Sequence, residues 1–268
     1  MAQIYTVANA KGGCGKTTVA LNLAVCFARA GYRTLAIDLD QQGNLSAGLG
    51  VDLNKLGFTA HRLLISEVPD IGRYLVEIRP QLKLLPNSID IEADDLLEAK
   101  KLNRELLLRR QMKPILPEFD VVLIDTPPAM RAATVNALVV ADSVIIPIES
   151  SSFALLGMNQ LLKTIAAISE THNPALKILA LTTLFDRRQN LDRIIRQQVE
   201  HLFGRSLVLE SVIHRHVGVA EAAAMRKGVV ENSITSSATF DFMKLFNELK
   251  REMINEQKRQ RAVESIHQ

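Results

Sequence analysis

Tryptophan is absent from this sequence and aromatic residues make up only 4% of it, so any interior must be filled mainly by aliphatic side chains. Cysteine occurs twice, at Cys14 and Cys26, which is too few for a disulfide framework and lacks the paired spacing of a metal knuckle. The reducing cytosol is therefore the expected compartment, and no structural metal is expected. Long apolar runs are missing too: Asn22, Arg29, Asp142 and Pro147 interrupt the best candidates before the ~18 residues that a membrane span needs. The first residues, Met1-Ala2-Gln3-Ile4-Tyr5, carry no basic region ahead of their apolar stretch, and Lys11 cuts that stretch, so no secretory leader is expected. Charge of one sign is scarce as well. Lys and Arg total 32 against 29 Asp and Glu, a net +3 that is too small to imply nucleic-acid binding without local clustering.

What remains is an ordinary globular balance over 268 residues, 47% hydrophobic and 23% charged, which excludes disorder and low-complexity architecture. Short apolar runs alternate with longer amphipathic ones, the pattern of βα units around a mainly parallel sheet. Strands are expected at residues 4–9, 34–38, 82–85, 121–125, 143–148, 176–184 and 207–212. Helices are expected at 16–29, 89–97, 103–111, 133–140, 153–171, 191–202 and 239–260. The runs Val121-Val122-Leu123-Ile124 and Val144-Ile145-Ile146 are apolar at successive positions, as central strands covered on both faces must be. The predicted fold is therefore α/β, a three-layer α/β/α sandwich with a mainly parallel central sheet. No linker divides the chain, so one domain is expected over 1–268, with a variable helical region at about 51–113 capping the sheet edge.

After the first strand comes Ala10-Lys11-Gly12-Gly13-Cys14-Gly15-Lys16-Thr17-Thr18, which leads directly into a helical run. Triphosphate binding needs closely spaced glycines that let backbone N–H groups turn inward, a helix N-terminus, a lysine for the outer phosphates and a hydroxyl for Mg²⁺. Gly12, Gly13, Gly15, Lys16 and Thr17 meet those needs in that order, in a strand-to-helix context that a solvated glycine turn would not require. Lys11 precedes the glycine pair and sits too early to share the task of Lys16. Cys14 stands at the free position of the loop; a helix N-terminus would lower its thiol pKa and make it reactive, whereas the plainer reading is a residue small enough to fit.

Two further segments carry acids. The second strand ends in Asp38-Leu39-Asp40, and period-2 alternation puts Asp38 and Asp40 on the same side at the carboxyl end, where open α/β sheets bind ligands. The run Val121-Val122-Leu123-Ile124-Asp125-Thr126-Pro127-Pro128 has the form of a Walker B strand, with Asp125 placed to hold Mg²⁺ through its water shell.

The segment Lys11 to Thr17 matches KGGxGKT, and here the sequence resembles the ParA/MinD family of deviant Walker ATPases. The resemblance implies that Lys11 reaches across a dimer interface to the partner's ATP, that Asp40 positions the attacking water, that Asp38 supports Mg²⁺ through water, and that Thr126, Pro127 and Pro128 form a γ-phosphate-responsive switch. Gln41 stands where the family usually has proline. Leu184-Phe185-Asp186-Arg187-Arg188 and Ile213-His214-Arg215-His216-Val217 resemble segments of the partition branch, although His214 replaces a proline, Gly218 an arginine and Ala223 a second proline.

Basic residues gather in the last third of the chain, and a cluster of this kind on one face is enough for salt-dependent, sequence-independent DNA binding. Arg187, Arg188, Arg215 and Lys227 are the candidates, against the alternative of a solvated helix face. Phe242, Phe246, Leu249 and Met253 form an apolar stripe that should pack on the domain, and few apolar residues follow Ile254, unlike a membrane-seeking helix of MinD type. The expected function is a ParA-type ATPase that dimerises around Mg-ATP, binds DNA non-specifically and is released by a ParB-type or other cargo adaptor. It would be cytoplasmic and nucleoid-associated, without stable membrane association. A membrane-cycling positioning ATPase and a nucleotide-dependent regulatory switch without DNA binding are the alternatives.

Overall fold

The computed structural model describes residues 2–68, 70–100, 103–149, 158–186, 188, 190–233 and 235–266, except for the side chains of 190, 191 and 260–266. Its strands are β1 (Gln3–Val7), β2 (Thr34–Asp38), β3 (Val76–Arg79), β4 (Leu82–Leu85), β5 (Val121–Asp125), β6 (Ser143–Glu149), β7 (Lys177–Phe185) and β8 (Val208–His214). They form one sheet in the order β3-β4-β2-β5-β1-β6-β7-β8. Every neighbouring pair is parallel except β3 and β4.

Alternation along β5 explains the layering. Val121 and Leu123 join the core beneath one helical layer, while Val122 and Ile124 join the core beneath the other. Because both faces of the strand are covered, all five residues are buried and successive positions must be apolar. The first layer contains the helices Lys16–Arg29, Val217–Ala224, Val229–Asn232 and Ser237–Ile266. The second contains Ala60–Ile65, Ile91–Ala99, Leu107–Met112, Ala132–Val140, Met158–Thr171 and Asn190–Phe203. Phe27 of the first helix stands edge-on to Phe246 at 5.0 Å, and Phe242, Leu249 and Met253 are buried with it, so the predicted stripe does pack on the sheet.

The sandwich and the mainly parallel sheet are as the sequence predicts, with differences at one edge. Within the region 51–113, β3 joins the expected strand β4 and extends the sheet by one more strand. Strand β3 escapes notice because Glu77 and Arg79 alternate with Val76 and Ile78 on an exposed antiparallel edge, which leaves no continuous apolar run. The helix expected at 103–111 is a 3₁₀ turn, Arg104–Leu106, followed by the helix Leu107–Met112. The helices Asn44–Gly48, Ala60–Ile65, Val217–Ala224 and Val229–Asn232 are too short to show a 3.6-residue period. Residues 153–157 of the expected helix 153–171 lie outside the described residues.

Candidate nucleotide site

The loop after β1 is tied down from both ends. Asn9 donates from Nδ2 to the carbonyl of Pro147 at 2.7 Å and accepts the N–H of Lys11 on Oδ1 at 3.0 Å, which fastens the loop entrance to β6. Gly15 caps the Lys16–Arg29 helix with φ of 93°, a left-handed conformation that a side chain would strain. Gly12 and Gly13 are exposed at the crown of the loop, and a Cβ built on Gly12, Gly13 or Gly15 would meet no atom within 4 Å. Open space thus lies above the helix N-terminus. Lys16 is buried and its Nζ donates across the loop to the carbonyl of Lys11 at 2.9 Å. Thr18 is half-buried and its carbonyl accepts from Asn22 Nδ2 at 2.8 Å.

Sheet register then brings the acids together. Val7 and Asp38 both pair with Asp125, so the ends of β1, β5 and β2 are level. Thr17 donates from Oγ1 to Asp125 Oδ2 at 2.6 Å. The second oxygen, Asp125 Oδ1, is buried with no hydrogen-bond partner among the described residues. Burial above all, then the charge of Asp38, pushes the Asp125 carboxyl well above the usual carboxylate range. Asp38 is pushed up to about 7, chiefly by burial, although its bonds to Ser46 oppose the shift. Its Oδ2 accepts from Ser46 N at 2.8 Å and Ser46 Oγ at 2.7 Å, and its Oδ1 accepts from Asp40 N at 3.1 Å. Asp40 is 6% exposed, and its Oδ1 accepts from Gln42 N at 3.0 Å within a tight turn closed by Gly43 N on the Asp40 carbonyl.

Thr126 is buried and donates from Oγ1 to the Val7 carbonyl at 2.9 Å, which links the start of the expected switch to β1. Pro127 is half-buried and Pro128 exposed. Lys11 reaches sideways: its Nζ lies 2.6 Å from Glu149 Oε2 at the end of β6. Cys14 is fully buried, with Sγ donating to the Lys11 carbonyl at 3.3 Å, and its own carbonyl accepts from Thr183 Oγ1 at 2.8 Å. Burial pushes the Cys14 thiol up, against the opposing charge of Lys16, which supports the plainer reading of a residue small enough to fit.

The basic candidates divide. Arg188 is exposed and forks onto Asp186, with Nε 3.0 Å from Oδ1 and a terminal nitrogen 2.9 Å from Oδ2. Arg215 is exposed and donates its N–H to the Phe185 carbonyl at 3.1 Å, so Arg188 and Arg215 both follow the carboxyl ends of the paired strands β7 and β8. Lys227 is exposed at the opposite end of the Val217–Ala224 helix and does not join them. Arg187 lies outside the described residues.

Residues 2–178 match the family described as an AAA domain. A chromosome partitioning protein ParA of Myxococcus xanthus is 35% identical over 250 residues, spanning 92% of this chain and 87% of that protein. The chain belongs to the ParA family. Within that family, the sporulation initiation inhibitor protein Soj of Bacillus subtilis is 32% identical over 231 residues, 86% of this chain and 91% of its own. A Mycobacterium smegmatis protein described as cobyrinic acid a,c-diamide synthase, solved with ADP and magnesium, is 34% identical with a TM-score of 0.75, covering 84% and 93% of the two chains. A single-residue variant of Cyanothece McdA in complex with ATP superposes with a TM-score of 0.82 at 19% identity over 95% and 96% of the chains, a likeness of fold. A ParA-like, nucleotide-dependent function follows for this chain. No helix among the described residues is long and apolar enough to cross a membrane.

Four residues around the candidate site receive no role from the motifs: Asn9, Ser46, Glu149 and Thr183. All four bond backbone or side-chain groups of the site, and no local pattern announces such a role. Ser46 lies within the short helix Asn44–Gly48, and its Oγ reaches back to Asp38.

Proposed function

We propose that this ParA-family protein hydrolyses ATP, forms a dimer around Mg-ATP, and binds DNA without sequence preference in that state. A ParB-type partner or another cargo adaptor would stimulate hydrolysis and so release the dimer from DNA, moving or spacing a plasmid, chromosome or protein cargo. The carrying observation is Asp125, whose Oδ2 is held by Thr17 and whose buried Oδ1 has no protein partner among the described residues. An unpaired carboxylate oxygen at that depth is costly unless a cation or its water shell engages it.

These residues fit magnesium. Thr17 and Asp125 would hold it, Asp125 through water, with Asp38 supporting from behind through water, and the ion would neutralise phosphate charge. The loop N–H groups from Gly12 to Thr18 and the ammonium of Lys16 cradle the phosphates. Asp40 orients the attacking water from the carboxyl end of β2. Lys11, paired with Glu149 in the single chain, exchanges that carboxylate for the partner's nucleotide when two chains meet. Thr126, Pro127 and Pro128 transmit the change, because Thr126 is fixed to β1 beside the loop. The protein acts in the cytoplasm, on the nucleoid.

In size-exclusion chromatography with light scattering, the wild-type protein should dimerise transiently with Mg-ATP and stay monomeric with ADP. Asp40→Ala should bind ATP normally and remain trapped as the dimer, with turnover reduced at least about 100-fold. Normal turnover in that variant would remove Asp40 from its role.

A further inference from the structure

We propose that His214, His216 and Asp241 form a binding site for a zinc-class divalent cation that clasps the end of β8 to the start of the last helix. His214 closes β8, His216 precedes the Val217–Ala224 helix, and Asp241 lies in the first turns of the Ser237–Ile266 helix. His214 Nδ1 and His216 Nε2 each lie 2.8 Å from Asp241 Oδ2, and the ligand atoms of the three residues fall within 4.8 Å of one another.

The same carboxylate oxygen also accepts the backbone N–H of His214 at 2.9 Å. Three nitrogens therefore converge on one oxygen, although a carboxylate oxygen offers about two lone-pair sites. One cation in place of the two ring protons removes that competition. It also leaves the His214 N–H to hold the carboxylate in place.

Two imidazole nitrogens and one carboxylate oxygen are the donor set of zinc and its neighbours in the first transition row, whereas magnesium and calcium prefer all-oxygen shells. Bonds of about 2.0–2.2 Å in a tetrahedral arrangement separate ligand atoms by about 3.4 Å, so the two nitrogen–oxygen contacts need to open by about 0.6 Å and the ring nitrogens, within 4.8 Å of each other, to settle at that same spacing. Solvent can complete the shell, because the rings are 17% and 16% exposed and the Asp241 side chain 9%.

The surroundings prepare the ligands. Ser237 Oγ lies 3.1 Å from His216 Nδ1, so a proton kept on Nδ1 is satisfied there and Nε2 presents its lone pair toward Asp241. The Phe185 ring packs edge-on against His214 at 5.7 Å and fixes its plane. Arg215 sits between the two histidine ligands, so an occupied site would also fix the backbone that carries this exposed cation.

The test uses the untagged full chain, stripped by chelator and titrated with Zn²⁺ in competition with a chromophoric chelator, with and without Mg-ATP. One equivalent should bind per chain in both arms, with Co²⁺ giving a tetrahedral absorption spectrum. His216→Asn and Asp241→Asn should weaken binding by at least about 100-fold and Ser237→Ala by about 10-fold, while exposed His201→Asn changes nothing. Should the first two variants fail to fold by circular dichroism, Ser237→Ala alone decides. Absence of zinc binding in the wild type, or equal affinity in Ser237→Ala, would mean that the cluster is only a hydrogen-bonded pair of histidines on an aspartate, and would overturn the assignment. Neither arm depends on ATP turnover or DNA binding.

Discussion

Lys11 and Lys16 stand five residues apart and meet different partners: Lys16 is buried and crosses its own loop, while Lys11 projects to Glu149. That difference supports the proposal that Lys16 serves the chain's own phosphates and Lys11 a partner's. Glu149→Gln should free Lys11 earlier, and dimerisation titrated against ATP by light scattering should shift to lower ATP by a few-fold; an unchanged titration would detach Glu149 from the exchange. The cysteines make a second residue-scale prediction. Burial pushes the Cys26 thiol from an ordinary 9.0 up to about 12, and pushes Cys14 in the same direction. A thiol-specific dye should therefore leave both unlabelled in native protein at neutral pH and label two per chain in denaturant; labelling of one in native protein would contradict their burial. Because the unfolded thiol ionises first, the folded state retains more protons between those values, so the stability contributed by Cys26 falls as pH rises from about 9 toward 12. The residues proposed to hold phosphate and metal were legible in the sequence because backbone geometry and charge demand their types at fixed spacing. Glu149, Ser46 and Asn9 were not, since their partners are distant in sequence and any hydrogen-bonding residue could satisfy the local pattern.

At the scale of elements, strand β2 with the turn after it shows how tightly the corner that carries Asp38 and Asp40 is built. Gly43 closes the turn with φ of 64°, and a Cβ there would lie 2.7 Å from the Asn87 carbonyl and 2.9 Å from Leu53 Cδ1. Gly43→Ala should destabilise the protein by about 2–3 kcal/mol in urea unfolding, and should slow turnover by moving Asp40; a stability equal to wild type would show that the turn relaxes freely. The expected bounds of β2, β4, β5 and the Lys16–Arg29 helix coincide with the structure because each combines a strong apolar pattern with punctuation at both ends. Strand β3 and the short helices lacked that signal, since their existence depends on neighbours: β3 pairs with β4 along an edge, and Val229–Asn232 packs on the first helix through Val25 beside Gly228. The proposed histidine–aspartate site belongs to this level as well, since two histidines of one segment find their aspartate only after β8 and the last helix have packed together.

For the whole molecule, the proposed cycle requires that ATP favour the dimer and that the dimer's doubled basic surface bind DNA more tightly than one chain can. Arg188 and Arg215 supply one group per chain at the ends of β7 and β8, with Lys227 apart from them. Arg188→Glu combined with Arg215→Glu should abolish DNA binding at moderate salt while ATP binding and dimerisation persist. Unchanged affinity would move the DNA face elsewhere on the molecule. Fold and family were legible at this scale, because loop, paired acids and Walker B strand occur in order; the grouping of the basic residues was not, because charge carries no register until strand ends are placed. The most direct measurement is fluorescence anisotropy of unrelated DNA duplexes with purified protein at two salt concentrations, in the absence of nucleotide, with ADP, with ATP, and with ATP on the Asp40→Ala variant. Binding in the ATP states only, indifferent to sequence and weakened by salt, is the predicted result. DNA binding in no state, while ATP still drives dimerisation, would contradict the central claim and direct the ATP cycle to a membrane or a protein surface.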